Sequence, residues 1–131
     1  MEILAVPVTG DNVDMPGKAS EVHMYKISND RTKYDLIKTY KNPSIEIKED
    51  GGLPLLESLM KEKVNSIILP GIGGPGTYFL NNKIKVYISN GDEIASIQYY
   101  LSNKLKLTNE PTVFNCPEPL FKKAAEYKNR L

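Results

Sequence analysis

The sequence predicts an α/β domain with a mixed five-stranded sheet and helices on both faces. Three observations carry this. Apolar runs occupy residues 3–8, 66–69 and 84–88, as expected for strands buried on both faces. Segments of helical period separate the later runs. Between the first and second runs lie two alternating segments split by a turn, which is the signature of a hairpin.

Taken in order, Ile3 to Val8 is the first strand. Pro7 cannot donate to a ladder, so regular pairing is expected to end near Val6. Residues 11–19 have the composition of an irregular loop. The hairpin follows as Val22 to Ser28 and Lys33 to Tyr40, divided by Asn29-Asp30-Arg31-Thr32. Lys48 to Gly52 reads as polar loop. From Leu53 the period becomes helical, with Leu55, Leu56, Leu59, Met60 and Val64 on one stripe. Ser66 to Leu69 is the fourth strand, stopped by Pro70-Gly71. Tyr78, Phe79 and Leu80 open a short helix that Asn81-Asn82 ends. Ile84 to Ile88 is the fifth strand. Asp92 is a fitting N-cap for a helix carrying Ile94, Ile97, Tyr100 and Leu101. A last helix near Pro119 to Asn129 places Leu120, Phe121, Ala124 and Tyr127 on one stripe and is expected to dock. Two strand–helix–strand crossovers imply a parallel portion with right-handed connections. With the hairpin on one edge, the economical order of the five strands is 3-2-1-4-5.

Composition narrows the function classes. A chain of 131 residues is near the commonest domain size and buries enough surface to fold without staples. Its formal net charge is +1, without the basic excess of a protein that works through nucleic-acid phosphates. Cys116 is the single cysteine, which excludes an intrachain disulfide and a Cys-only metal site within one chain. The N-terminus lacks a basic n-region, and no run approaches the roughly 18 apolar residues of a membrane span. The cytoplasm is the expected compartment, with neither nucleic acid nor membrane as partner.

The richest chemical feature is Leu69-Pro70-Gly71-Ile72-Gly73-Gly74-Pro75-Gly76-Thr77, between a buried strand and a helix. Glycines there allow positive φ and close approach of a ligand to backbone. Amides at the following helix start favour an anion. No Lys follows the last Gly, so the segment is not a nucleotide-hydrolysing loop, and its spacing is not that of a dinucleotide fingerprint. The alternative is that these glycines only permit a tight turn and close packing. In open α/β sheets, ligands collect outside the carboxyl ends of parallel strands. The turns at 9–12, 71–77 and 89–91 are therefore expected to converge, with Thr9, Gly10, Asp11, Gly71, Gly73, Gly74, Gly76, Thr77 and Ser89 as ligand-binding candidates.

The same residues carry a resemblance. Ile3-Leu4-Ala5-Val6-Pro7-Val8-Thr9-Gly10 resembles the opening strand of the dinitrogenase iron–molybdenum cofactor biosynthesis family. Residues 51–63 look like that family's first helix. Residues 64–88, with Gly71 to Gly76 followed by Asn82-Lys83-Ile84-Lys85-Val86-Tyr87, are similar to its most recognisable segment. The match spans residues 1–107 as one domain. Residues 108–131 form a C-terminal extension outside it, with a helix expected to dock on the same domain. The resemblance implies a ribonuclease-H-like three-layer fold and a role in binding or carrying iron–sulfur or iron–molybdenum clusters. Partners would be metal-cluster assembly proteins, and the chain a monomer or homodimer. One departure stands out. The family's Ser-Glu-His-Phe-Gly-Arg-like stretch is replaced here by Ser20-Glu21-Val22-His23-Met24, without Phe-Gly-Arg.

His23 is the only histidine, and it and Met15 are the metal-ligand candidates. A lone His on a strand is more often packed or at the surface, and ligation would need partners such as Met24, Cys116 or Glu21. Cys116 itself reads as a structural thiol. Catalysis finds no support. Two-metal cleavage needs carboxylates gathered on strands, and the first strand offers only Glu2. No Ser–His–Asp or Cys–His arrangement is suggested. The expectation is a non-enzymatic binding or carrier protein for a metal cluster. The alternative is a metal-free module for a small anion or a protein partner on the same fold.

Overall fold

A computed structural model describes residues 1–131. Strand β1 (Glu2–Thr9) runs through its centre. Leu4, Ala5, Val6 and Val8 are fully buried, because both sides of the strand are covered. β1 continues past Pro7, contrary to the expected stop at Val6. The Pro7 carbonyl accepts the Asp14 N–H at 3.0 Å, so the donor-less nitrogen faces the same side. Pairing with the parallel neighbour on that side ends at Ala5 and pairing with residues 12–13 begins at Val8, so Pro7 falls between the two ladders.

The hairpin forms from β3 (Glu21–Ile27) and β4 (Tyr34–Lys41). β3 lies antiparallel along the whole of β1, from Glu2 opposite Ile27 to Val8 opposite Glu21. β4 is the exposed edge, with a bulge at Ile37 between the Met24–Lys38 and Tyr25–Leu36 pairs. Two short 3-10 turns, Pro43–Ile45 and Lys48–Asp50, lead into helix α1 (Leu53–Lys61). The second turn was expected to be plain polar loop, yet its Asp50 is buried.

Strand β5 (Ser66–Leu69) pairs parallel with β1, and β6 (Lys85–Ile88) pairs parallel with β5. Between them, α2 covers Gly74–Leu80. It starts four residues earlier than expected, although glycine is a poor helix former. Pro75 suits a first turn, where its missing N–H is not needed, and burial of Phe79 and Leu80 holds the helix against the sheet. Asp92 caps α3 (Glu93–Leu101) by accepting the Ala95 N–H at 2.9 Å.

The sheet is not five-stranded and does not stop at the order 3-2-1-4-5. It has eight strands, six of them along the path β4-β3-β1-β5-β6-β8, where β8 is Lys106–Thr108, and two beside it. β8 (Lys106–Thr108) adds an antiparallel strand beside β6. In the expected irregular loop, β2 (Asn12–Val13) pairs with the end of β1 and with β7 (Gly91–Asp92). Helix α4 (Glu118–Asn129) closes the chain.

Alternation divides the apolar side chains into two cores. Ile3, Ala5, Val22 and Ile67 face α1, α2 and α4, together with Phe79, Ala124 and Tyr127. Leu4, Val6, Val8 and Ile68 face α3 through Ile97 and Tyr100. Tyr127 meets Phe79 edge to face, ring centres 6.3 Å apart, an arrangement aromatic pairs favour. No helix is long and apolar enough to cross a membrane.

Candidate functional site

A mostly apolar cavity of about 330 Å³ lies beyond the carboxyl ends of β1 and β5. Its walls are residues 15–18 after β1, residues 50–53 with Leu56, the stretch Ile72, Gly73, Pro75 and Gly76, and three tail residues, Val113, Cys116 and Leu120. This is where an open α/β sheet presents ligands, and its volume is at the small end of ligand pockets, roughly 300–1,000 Å³.

The tail is built into one wall. The Ile72 N–H donates to Thr112 Oγ1 at 2.9 Å. In return, the Ile72 carbonyl accepts the N–H groups of Thr112 and Val113 at 2.8 and 3.1 Å. Glycine is required where the tail passes over. A Cβ on Gly73 would collide with Cys116 Sγ, one on Gly74 would stand 2.8 Å from the Phe121 ring, and one on Gly71 would stand 3.0 Å from Val113 Cγ2. Gly76 instead lies under α1, where a Cβ would come within 2.9 Å of Ile72 and 3.3 Å of Leu56. The space left by these missing side chains is thus taken by protein, chiefly by residues 112–121.

The structure divides the expected rim in two. Met15, Gly73 and Gly76 line the cavity. Thr9, Gly10, Asp11, Gly71, Gly74, Thr77, Ser89 and His23 do not. Gly10, at φ +61°, shapes the two-residue turn joining β1 to β2. The Thr9 hydroxyl donates to Asp14 at 2.8 Å. The Asp11 carbonyl receives the Glu93 N–H at 2.8 Å, which ties this turn to α3. Ser89 exchanges a hydrogen bond with Ser96 at 2.8 Å. Thr77 donates back to the Gly74 carbonyl at 3.0 Å, inside α2. The first and third turns therefore meet each other through β2 and β7, while the second faces residues 15–18.

His23 stands on the α3 side. Nδ1 is 2.7 Å from Glu93 Oε2 and Nε2 is 2.6 Å from Glu21 Oε1. The Tyr25 hydroxyl donates to the same Glu93 oxygen at 2.7 Å. Burial opposes charge on the ring, but the bonds and charges of Glu21 and Glu93 outweigh it and hold the His23 pKa above its ordinary value. Each ring nitrogen is already engaged by a carboxylate, so neither is free for a metal. Nowhere do three His, Cys, Asp or Glu side chains group as they would around a metal ion. Burial, reinforced by Glu93, also pushes the Tyr25 phenol up.

Asp50 and the tail residues were missed as site residues from sequence. Asp50 sits among charged loop residues, and its partner Tyr127 is 77 positions away. The apolar residue Val113 and the helical stripe carrying Leu120 were the available signals.

No protein-family model matches the sequence, and no curated protein matches it. Solved structures do. The crystal structure of a Methanocaldococcus jannaschii protein, provisionally described as a dinitrogenase, superposes with a TM-score of 0.61 at 19% identity, covering 83% of this chain and 96% of its own. The NMR structure of a Thermotoga protein, provisionally described as a NifB protein of the DUF35 family, gives 0.61 at 18% identity, covering 86% and 98%. The chain shares its fold with these two proteins. Both are matched almost end to end, whereas 14 to 17% of this chain lies outside the matches.

Proposed function

We propose that this chain is a non-enzymatic binding or carrier protein with the ribonuclease-H-like architecture of the iron–molybdenum and iron–sulfur cofactor biosynthesis proteins, working in the cytoplasm. The observation that carries the reading is the apolar cavity at the carboxyl ends of β1 and β5, the position its fold favours for ligands. A metal-free small ligand suits this cavity best, because its lining is apolar and no three-ligand metal group exists. Nuclear magnetic resonance titration with small-molecule mixtures tests it. Shifts should gather at residues 15–18, 72–76 and 113–120 and vanish in Met15→Trp, whose far-ultraviolet circular dichroism should remain that of the parent. Shifts confined to other surfaces would end this reading.

A second reading, transport of an iron–sulfur or iron–molybdenum cluster as cargo, is favoured by the Cys116 thiol and Met15 thioether, which both line the cavity. Iron–sulfur clusters are held mainly by several thiolates, and this chain supplies one. The donor set does not hold a cluster alone. The remaining ligands would come from a second copy or a metal-cluster assembly protein. Anaerobic treatment with iron and sulfide should then produce charge-transfer absorption that Cys116→Ser abolishes and His23→Ala leaves intact. A colourless protein would leave only the metal-free cargo.

A further inference from the structure

Two charged residues, Lys18 and Asp50, belong to the lining of the apolar cavity, and only one is open to a ligand. Asp50 is 6% exposed. Its Oδ2 accepts the Tyr127 hydroxyl at 2.6 Å. Its Oδ1 is buried, and the Lys123 ammonium 3.8 Å away balances its charge. That carboxylate is committed within the protein. Lys18 is exposed. The lysines held in ion pairs are Lys38, Lys41, Lys61 and Lys123, and Lys18 is in none. A lysine so placed lays its stem along apolar surface and keeps its ammonium in water. The cavity therefore combines an apolar interior with one unpaired cation on its solvent side.

We propose that the cavity takes a small monocarboxylic acid with an apolar body, and that its carboxylate is held by Lys18. The inference rests on the cavity being the chain's binding site. The apolar body follows from Met15, Leu53, Leu56, Ile72, Val113 and Leu120. The sign of the charge follows from what is left over. With Asp50 balanced by Lys123, Lys18 makes the lining net positive, so an anion is attracted and a cation repelled. A second charged group on the ligand would have to enter the apolar interior without a partner, which is costly. The available volume of about 330 Å³ limits the ligand to small ring compounds or short branched chains.

Indole-3-acetate, indole-3-acetamide and tryptamine are suitable probes, because they share one apolar ring system and are negative, neutral and positive at pH 7. The protein contains no tryptophan, so indole fluorescence is read without indole background from the chain. Each probe is titrated into the wild-type protein, Lys18→Gln and Lys106→Gln, with amide shifts to locate the site. Lys106 is an exposed lysine on β8 outside the lining, and its replacement lowers the net charge equally. The wild type should bind indole-3-acetate about fivefold tighter than the amide, the worth of an ion pair facing solvent, and tryptamine most weakly. About 1 M salt should bring the acid and the amide together. Lys18→Gln should erase the preference for the acid, and Lys106→Gln should keep it. Equal binding of acid and amide by the wild type, with shifts at the cavity, would overturn the role of Lys18 and leave the cavity as the site. Loss of the preference in both variants would assign it to net charge and overturn that role as well. Binding of none of the three would overturn both the role and the site. The wild-type comparison needs no variant to fold.

Discussion

Replacing Gly73 by Ala asks whether the glycine is there for the tail. Gly73 has φ −88° and ψ 173°, a conformation alanine adopts without strain. The cost must therefore come from contact and from the weaker helix cap. A Cβ at this position collides with Cys116 Sγ, while Pro75 Cδ and the Val113 carbonyl at 3.6 and 3.8 Å leave ordinary room. Overpacking of this kind costs about 1–3 kcal/mol, and the capping loss adds up to about 1 kcal/mol. In a Cys116→Ala background the sulfur is gone and only the capping loss remains. The double-mutant cycle should return the overpacking cost as the coupling, about 1–3 kcal/mol, with the Cys116 change rescuing the Gly73 change. Urea unfolding of the four proteins with a common m-value measures it. Additivity within about 0.5 kcal/mol would show that Cys116 and Gly73 do not compete for the same space.

Other outcomes follow from the same geometry. The folded pKa of His23 stands above its ordinary value of about 6.5. Its stabilisation is therefore complete below about pH 6.5 and is lost as pH rises through the folded value. Neutral imidazole can donate from only one nitrogen, so the stability advantage of wild type over His23→Gln in urea unfolding should shrink, by about 1 kcal/mol in all, as pH rises above about 6.5, and a constant gap would count against the imidazolium bridge. Burial, with the hydrogen bond to Asp50, pushes the Tyr127 phenol up to about 12. Tyr127→Phe should cost about 1–3 kcal/mol in thermal or urea unfolding, since it strips Asp50 Oδ2 of its donor, and a neutral change would deny that bond. Asp92→Ala should cost about 0.5–2 kcal/mol by the same measurement, with no loss if the cap is not formed in solution.

How much of this was legible can be traced residue by residue. β1 and β5 were readable because they are apolar on both sides, which only a doubly covered strand tolerates. The stripe of Leu55, Leu56 and Leu59 and the cap at Asp92 were readable because both signals are local. The short strands were not. Asn12–Val13, Gly91–Asp92 and Lys106–Thr108 have little apolar pattern of their own, and each is defined by the strand it meets. Pro7 misled because on its donor side it falls between two ladders, one ending at Ala5 and the other beginning at Val8. In the glycine-rich stretch, composition showed that something approaches the backbone closely, and either a ligand or the chain itself satisfied that reading. The occupant proved to be residues 112–121 at Gly71, Gly73 and Gly74, and a contact across forty residues leaves no local trace. The grouping of Asp50 with Tyr127 was invisible for the same reason.

The dependence of Ile72 on Thr112 and Val113 also sets a schedule. During synthesis the strands through β6 can associate once residue 88 has emerged, but the amide and carbonyl of Ile72 must remain hydrated until residue 113 follows. A nascent chain therefore owns its sheet before it owns its cavity, and the recess gains the wall made by Val113, Cys116 and Leu120 only when the tail folds back.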